Sequence, residues 1–195
     1  MALELLMVVS IIMVLFVLYW GGGLGGKKSR QKDFASCARN LQNIHTALMT
    51  YATDNNEKLP LVAGAQHSEA PLSLLIPKFT SQTSTFICPS SGDAPLPEGE
   101  PFRSRRISYG YVMGLSRTNE PSQFVLSDQQ IDTRPKKAGT RVFASSDDPP
   151  GNNHGPYGGN ILLLDGSVQT IAKRTESDLT FSNAVFLNPK AKPKR

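Results

Sequence analysis

The chain has 195 residues, a formal net charge of +5 and a hydrophobic content of 39%. Its 14 prolines and 16 glycines are typical of a loop-rich domain and argue against a helical bundle. Basic residues concentrate at positions 27–32 and 190–195 without interleaved aromatic side chains, so we expect no nucleic-acid partner.

Residues 1–20 form an almost unbroken apolar run that contains a single acid, Glu4. As a helix this run would be about 28–30 Å long, close to the hydrocarbon thickness of a bilayer, and it predicts one transmembrane helix. A plain signal anchor is one alternative, and a cleaved signal peptide is another, less favoured because no basic residue precedes the run. A carboxylate facing lipid is costly, so Glu4 is expected to have a partner or a function.

Glu4 lies within the stretch Leu3-Glu4-Leu5-Leu6-Met7-Val8-Val9-Ser10-Ile11-Ile12. This stretch resembles the N-terminus of type IV pilins and of the pseudopilins of type II secretion. In that family a Glu near the mature N-terminus follows a cleaved leader, and the apolar helix is both membrane anchor and filament core. The resemblance implies that Glu4 serves processing and assembly, by pairing with the N-terminal amine of a neighbouring subunit.

Four basic residues, Lys27, Lys28, Arg30 and Lys32, follow the apolar run closely. The positive-inside rule alone would place the domain that follows in the cytoplasm. The basic leader implied by the resemblance would reverse this orientation. We therefore expect a single-pass inner-membrane protein whose C-terminal domain is periplasmic or extracellular.

Residues 21–33 are predicted to be a Gly-rich and basic linker, because five glycines at positions 21–26 should interrupt a helix. A domain is expected at 34–185, followed by a basic tail at 186–195. The domain begins with apolar residues spaced by three and four positions, which predicts an amphipathic helix lying across a sheet. These residues are Phe34, Cys37, Leu41, Ile44, Leu48 and Tyr51.

Short apolar segments predict strands in the rest of the domain. Asp165-Gly166 between two apolar runs is a strong signal for a β-hairpin over 160–171, since both turn positions can take a positive φ. A helical turn is expected within 71–77. A helix followed by short antiparallel strands predicts an α+β fold. The predicted strands are 85–87, 107–112, 124–126, 140–144, 160–164 and 167–171.

Several short motifs follow one another along the domain and end with His154 and Asp165-Gly166. The earlier ones are Ser36-Cys37-Ala38-Arg39-Asn40-Leu41, Phe86-Ile87-Cys88-Pro89 and Ser108-Tyr109-Gly110-Tyr111. In this order they resemble the pilin-like proteins abundant in planctomycetes and verrucomicrobia, whose C-terminal domain carries a His, nine residues and Asp-Gly. Ten residues separate His154 from Asp165 here, which is a departure from that spacing. The resemblance implies a pilin-like fold.

His154 lies in a loop rich in possible oxygen ligands, which predicts a candidate Ca²⁺ site. Zinc is less favoured, because one His with one or two acids is a thin ligand set. The alternative is that these side chains only fix turns by bonding to loop backbone. We expect no other cofactor. The candidate ligands are Asp147, Asp148, Asn153, His154 and Asp165.

Ser145 or Ser146, together with His154 and Asp165, would supply the residue types of a nucleophile, a base and an orienting acid. No strand-to-helix nucleophile elbow and no phosphate-binding loop accompanies them. Residue types without geometry do not make a catalytic site, so we expect that the protein is not an enzyme.

Cys37 and Cys88 are the two cysteines of the chain. In an exported domain an even pair favours a disulfide, which would tie the amphipathic helix to the segment around Cys88. Such a bond would stabilise the fold by about 4 kcal/mol in the chain-entropy model. Two separate buried thiols are the alternative, because cysteine is readily buried.

These expectations combine into a pilin-like structural subunit that is anchored in the inner membrane. Its partners would be other pilin-like subunits or components of a type II secretion or type IV pilus-like assembly. The alternative is a membrane-tethered, exported binding module for a metal or small ligand that does not polymerise.

Overall fold

A computed structural model describes residues 2–20, 23–102, 105–129, 142–143, 152–171 and 184–191. Side chains are described for these residues except 2, 17–20 and 23–29. The chain divides into two compact units, Met1–Lys32 and Asp33–Arg195.

The first helix, α1, spans Ala2–Trp20. Its large apolar side chains from Leu3 to Phe16 are between 52% and 76% exposed. The only polar side chain described in its middle, Ser10, donates to the carbonyl oxygens of Leu6 and Met7 in the same helix. Among the described residues, no helix combines the length and the apolar character needed to cross a membrane, so this part of the structure does not support the transmembrane helix predicted over residues 1–20.

The second helix, α2, spans Gly23–Asp54 and includes the amphipathic helix predicted from residue 34. The predicted helix interruption at positions 21–26 is wrong for residues 23–26, because these residues are helical. Residues 21 and 22 lie outside the described residues. Glycine is a poor helix former, but extending an existing helix avoids the cost of nucleation. The predicted stripe is buried at Cys37, Leu41, Ile44 and Leu48.

The segment after α2 contains short helical turns. Helix α3, Glu69–Leu72, and a 3-10 helix at Ser73–Leu75 confirm the helical turn predicted near these positions. The strand predicted at 85–87 is wrong, because a 3-10 helix covers Thr83–Phe86. There the Thr85 hydroxyl donates to the carbonyl of Gln82 at 2.7 Å, a local bond that competes with strand pairing.

In the part of the chain that the structure describes, five antiparallel strands form one sheet, which confirms the α+β class. The predicted strands near 107–112, 124–126, 160–164 and 167–171 are present, and the last two form the predicted hairpin. The strand predicted at 140–144 lies mostly outside the described residues. The observed strands are β1 Tyr109–Met113, β2 Phe124–Asp128, β3 Gly159–Leu163, β4 Val168–Ile171 and β5 Val185–Leu187. They lie in the order β4-β3-β2-β1-β5 across the sheet.

Strand β5 was not predicted, and it extends into the segment expected to be a basic tail. It pairs with β1, and Phe186 is almost fully buried. The Phe186 ring lies where a side chain of Gly110 would be: a Cβ built there falls 2.9 Å from Phe186 Cε2 and closer still to Cζ. Gly110 therefore makes room for the edge strand.

The core of the second unit joins α2 to the sheet. Leu41, Ile44 and Leu48 from α2 belong to the same buried cluster as β-strand residues such as Val125 and Leu162. Hydrogen bonds also join the two layers. The hydrogen bonds of most interest for function lie around residues 34–40 of α2, where several polar side chains are buried together.

Candidate functional site

Cys37 and Cys88 form the disulfide that the sequence predicted. Cys37 lies on the buried face of α2, and Cys88 follows the 3-10 helix at Thr83–Phe86. Their Cα atoms are 5.4 Å apart, within the range that a disulfide requires. The bond joins positions separated by 51 residues, so it holds two distant segments at one buried point.

Two ionisable side chains, Asp128 and His154, lie against this disulfide. Asp128 is the last residue of β2, and His154 lies in the loop before β3. One ligand atom from each of Cys37, Cys88, Asp128 and His154 lies within 4.8 Å of the others, and all four residues are buried. This four-residue cluster is the one group among the described residues whose His, Cys and acidic side chains have metal-ligand spacing.

A single ring nitrogen of His154 faces both neighbours. Nε2 lies 3.1 Å from Oδ2 of Asp128 and 3.7 Å from Sγ of Cys88. The imidazole ring stacks on Phe34 with ring centroids 3.9 Å apart and an interplanar angle of 17°. In a nucleophile-base-acid triad the two partners of His use opposite ring nitrogens. The arrangement here instead directs nitrogen, oxygen and sulfur toward one centre.

The Asp128 carboxylate is held by two asparagines. Oδ2 accepts from the backbone N–H of Asn160 at 2.7 Å and from its Nδ2 at 3.0 Å. Oδ1 accepts from Nδ2 of Asn153 at 3.2 Å. Such N–H donors stabilise a carboxylate that burial would otherwise penalise. The same amide groups donate to the carbonyl oxygens of Ser108 and Phe34, which fixes their orientation.

Tyr109 borders the cluster from the neighbouring strand, where it is the cross-strand partner of Asp128. Its hydroxyl oxygen accepts from Nδ2 of Asn40 at 3.0 Å, and Asn40 also donates to the carbonyl of Ile87. Burial, and after it the negative charge of Asp128, raises the pKa of Tyr109 well above its usual range. The phenol is therefore neutral, and it places a polar but uncharged group beside the cluster.

The predicted metal ligands are divided by the structure. Asn153 and His154 are at or beside the four-residue cluster, whereas Asp147 and Asp148 lie outside the described residues. Asp165 is not part of the cluster, so the expectation that it shares a site with His154 is corrected. The physical reason is that β3 lies between them, and a five-residue strand extends about 17 Å.

Asp165 instead fixes the hairpin turn at the exposed end of β3. Its Oδ1 accepts from the backbone N–H of Ser167 at 2.8 Å. Hydrogen bonds from the side chain and backbone of Ser167, together with the charge of His45, lower the pKa of Asp165. The predicted turn role of Asp165 and Gly166 is thus present. Of the residues considered for catalysis, His154 and Asp165 lie apart, and Ser145 and Ser146 lie outside the described residues.

The sequence reasoning missed Asp128 and gave Asn160 no specific role. A charged residue two positions after the apolar run at 124–126, with Ser127 between, was the available signal for Asp128. Only the pairing of β2 with β3 shows that this carboxylate meets Asn160, which lies 32 positions later in the chain.

A second polar group lies at the other side of β1, beside a surface cavity of about 370 Å³. The buried carboxylate of Glu69 accepts from the backbone N–H groups of Ile107 and Lys190 through Oε1. Arg106 pairs with Asp93 and donates to the carbonyl of Lys190. These contacts fix the segment after β5 against the domain, which is a structural role.

In comparisons of this chain with family models, with curated proteins and with solved structures, no match was found.

Proposed function

We propose that this protein is a pilin-like structural subunit, anchored in the inner membrane by α1 and carrying an exported α+β domain. The observation that carries the proposal is the exposure of every large apolar side chain described in α1. Burying one such side chain is worth about 1.5–3 kcal/mol, so this helix requires lipid or other apolar helices around it. The apolar residues at 17–20 extend the same run in the sequence.

The disulfide supports export of the second unit. Disulfides persist in oxidising compartments such as the periplasm and are rare in the reducing cytosol. The Cys37–Cys88 bond is buried between α2 and the segment that follows the 3-10 helix, so it is part of the domain framework. This agrees with an orientation in which the α+β domain lies outside the cytoplasm.

Glu4 would then act in assembly, as the resemblance to pilins implies. It lies in the first turn of α1, where a carboxylate also interacts favourably with the positive end of the helix dipole. In a layer of packed apolar helices, its negative charge would select a neighbouring subunit that offers an amine. Lateral packing of α1 against copies of itself would form the core of the assembly.

A membrane-tethered binding module is the second candidate function. The four-residue cluster favours it, since its nitrogen, oxygen and sulfur atoms converge as ligand atoms do in metal sites, with the two sulfur atoms joined in the disulfide. The two candidates differ in what α1 contacts: a module needs only lipid, whereas a subunit needs other helices.

Photocrosslinking in native membranes tests the subunit role. A photoreactive residue at Met7, which is 62% exposed, should yield crosslinks to pilin-like subunits. The substitution Glu4→Gln should leave membrane association unchanged but abolish the crosslinks, because removing one partner of a buried charge pair costs about 3–5 kcal/mol. Ser10→Ala is the matched control, since that hydroxyl bonds within its own helix. Crosslinking that persists in Glu4→Gln would contradict the assembly role.

A further inference from the structure

We propose that Cys37, Cys88, Asp128 and His154 form a Zn²⁺ site once the disulfide between the two cysteines is reduced. The inference does not depend on the assembly role of α1. It concerns only the second unit, in which all four side chains are described and buried.

The spacing of the ligand atoms is close to what a tetrahedral zinc ion needs. Zinc binds sulfur at about 2.3 Å and nitrogen or oxygen at about 2.0–2.2 Å, so neighbouring ligand atoms lie about 3.4–3.8 Å apart. The four atoms lie within 4.8 Å of one another, and Nε2 of His154 is already 3.1 Å from Asp128 Oδ2 and 3.7 Å from Cys88 Sγ. The two sulfur atoms must move apart, which reduction permits, and the most distant pair of ligand atoms must approach by up to about 1 Å.

The donor types select the metal. Two thiolates, one imidazole and one carboxylate suit Zn²⁺, whereas Ca²⁺ takes six to eight oxygen ligands. Reduction would also place two ionisable thiols beside the buried Asp128 carboxylate. A divalent cation compensates two of these negative charges, and the N–H donors of Asn153 and Asn160 stabilise the remaining charge on the carboxylate.

Groups around the cluster already hold the ligands in place. Asn153 and Asn160 orient the carboxylate, and the Phe34 ring stacks on His154. Outer partners of this kind support metal ligands in known sites. The ligands come from α2, the segment after the 3-10 helix, β2 and the loop before β3. The ion would therefore connect the two elements that the disulfide joins, and also β2 and the loop before β3.

The cluster lies directly beneath exposed chain. Pro89 and Ser90, which follow Cys88, are exposed, and so are Pro156 and Tyr157 beyond His154. A small opening of either loop would admit a reductant and then a metal ion. The exposed residues next to the buried ligands are compatible with a site that is loaded after folding.

The chemistry balances with a phosphine as reductant. The phosphine gives two electrons to the disulfide and becomes a phosphine oxide, taking oxygen from water, and the two protons of that water end on the two sulfur atoms. Zinc then replaces both thiol protons, which are released, and stays in the +2 state.

The test uses the full chain in detergent, oxidised or reduced with a phosphine, and titrated with ZnCl₂ or CoCl₂. We expect native mass spectrometry to show one Zn²⁺ bound per reduced chain, with loss of two protons, and none bound to the oxidised chain. Cobalt should give thiolate charge-transfer absorption and the spectrum of a tetrahedral ion. His154→Ala should weaken zinc binding by more than about tenfold, since loss of a ligand exceeds the effect of losing an outer partner.

His67→Ala is the matched control, because His67 is exposed and lies outside the cluster. It should bind zinc as the native chain does. Circular dichroism of each oxidised variant checks that it is folded. If His154→Ala does not fold, Asp128→Asn provides a second ligand variant. The proposal is overturned if the reduced native chain takes up no zinc, if cobalt shows no thiolate absorption, or if a folded ligand variant binds as tightly as the native chain.

Discussion

The Nε2 atom of His45 lies 2.8 Å from the carbonyl oxygen of Leu164, and this hydrogen bond ties helix α2 to the β3–β4 turn. A carbonyl can only accept, so Nε2 carries the proton and donates it. The hairpin turn is therefore held from two sides: by Asp165 within the turn and by His45 from the helix.

We predict that Gly166→Ala destabilises the domain more than Gly64→Ala does. Both glycines have a positive φ, +86° and +75°, which costs alanine about 1–2 kcal/mol. A Cβ at Gly166 would also lie 3.1 Å from Cε1 of His45, whereas nothing lies within 4 Å at Gly64. Urea unfolding of the native chain and both variants measures the difference.

The excess cost at Gly166 should disappear when His45 is replaced by Ala. In that background Gly166→Ala should cost about as much as Gly64→Ala, because only the backbone penalty remains. An excess that stays the same in the His45→Ala background would show that the ring is not its cause.

Asp165→Asn should remove part of the acid sensitivity of the fold. The native carboxylate has a lowered pKa, first through the Ser167 hydrogen bonds, so it contributes stability above its unfolded pKa of about 3.9. That contribution is lost as the pH falls through the lower folded value. The difference in melting temperature between native chain and variant should therefore shrink on acidification. A difference that is independent of pH would contradict this role.

Reduction of the disulfide in the presence of a chelator should lower stability by about 4 kcal/mol, because it frees a loop whose ends are 51 positions apart. For a domain of this size we expect the melting temperature to fall by roughly 10 °C. Trapping with iodoacetamide and comparing reducing with non-reducing gels verifies the thiol state. An unchanged melting temperature in fully reduced protein would contradict a stabilising disulfide.

Alkaline pH should unfold the domain cooperatively. Burial raises the pKa of Tyr109 and Tyr111, so both must stay neutral in the folded state. Their contribution to stability is complete below the unfolded pKa of about 10 and is lost as the pH rises above it. Tyrosinate absorbance should show a late phase that coincides with the loss of circular dichroism. Complete tyrosine ionisation in protein that remains folded would contradict this prediction.

The sequence predicted correctly those elements that are determined by residues close together in the chain. The stripe of α2 follows the helical repeat, and the Asp165-Gly166 turn has a side chain that caps it and a glycine with positive φ. The pairing of Cys37 with Cys88 was also predictable, since no other cysteine competes. In each case the determining interaction is local or has one available partner.

Long-range pairing determined the parts that the sequence did not predict. Strand β5 is only three residues long and exists because it pairs with β1, about 75 positions earlier in the chain. Asp128 acquires its partners only when β2 lies beside β3. At Thr83–Phe86 the error was of another kind, because the Thr85 hydroxyl bonds locally within a segment whose apolar residues had predicted a strand.

The most direct test of the proposed subunit role is the chemical identity of the native N-terminus, measured on protein recovered from membranes by intact mass and terminal peptide sequencing. Pilin-type maturation predicts a processed and N-methylated terminus at or immediately before Met1. An unprocessed initiator methionine at that position would contradict pilin-type maturation and favour the membrane-tethered binding module.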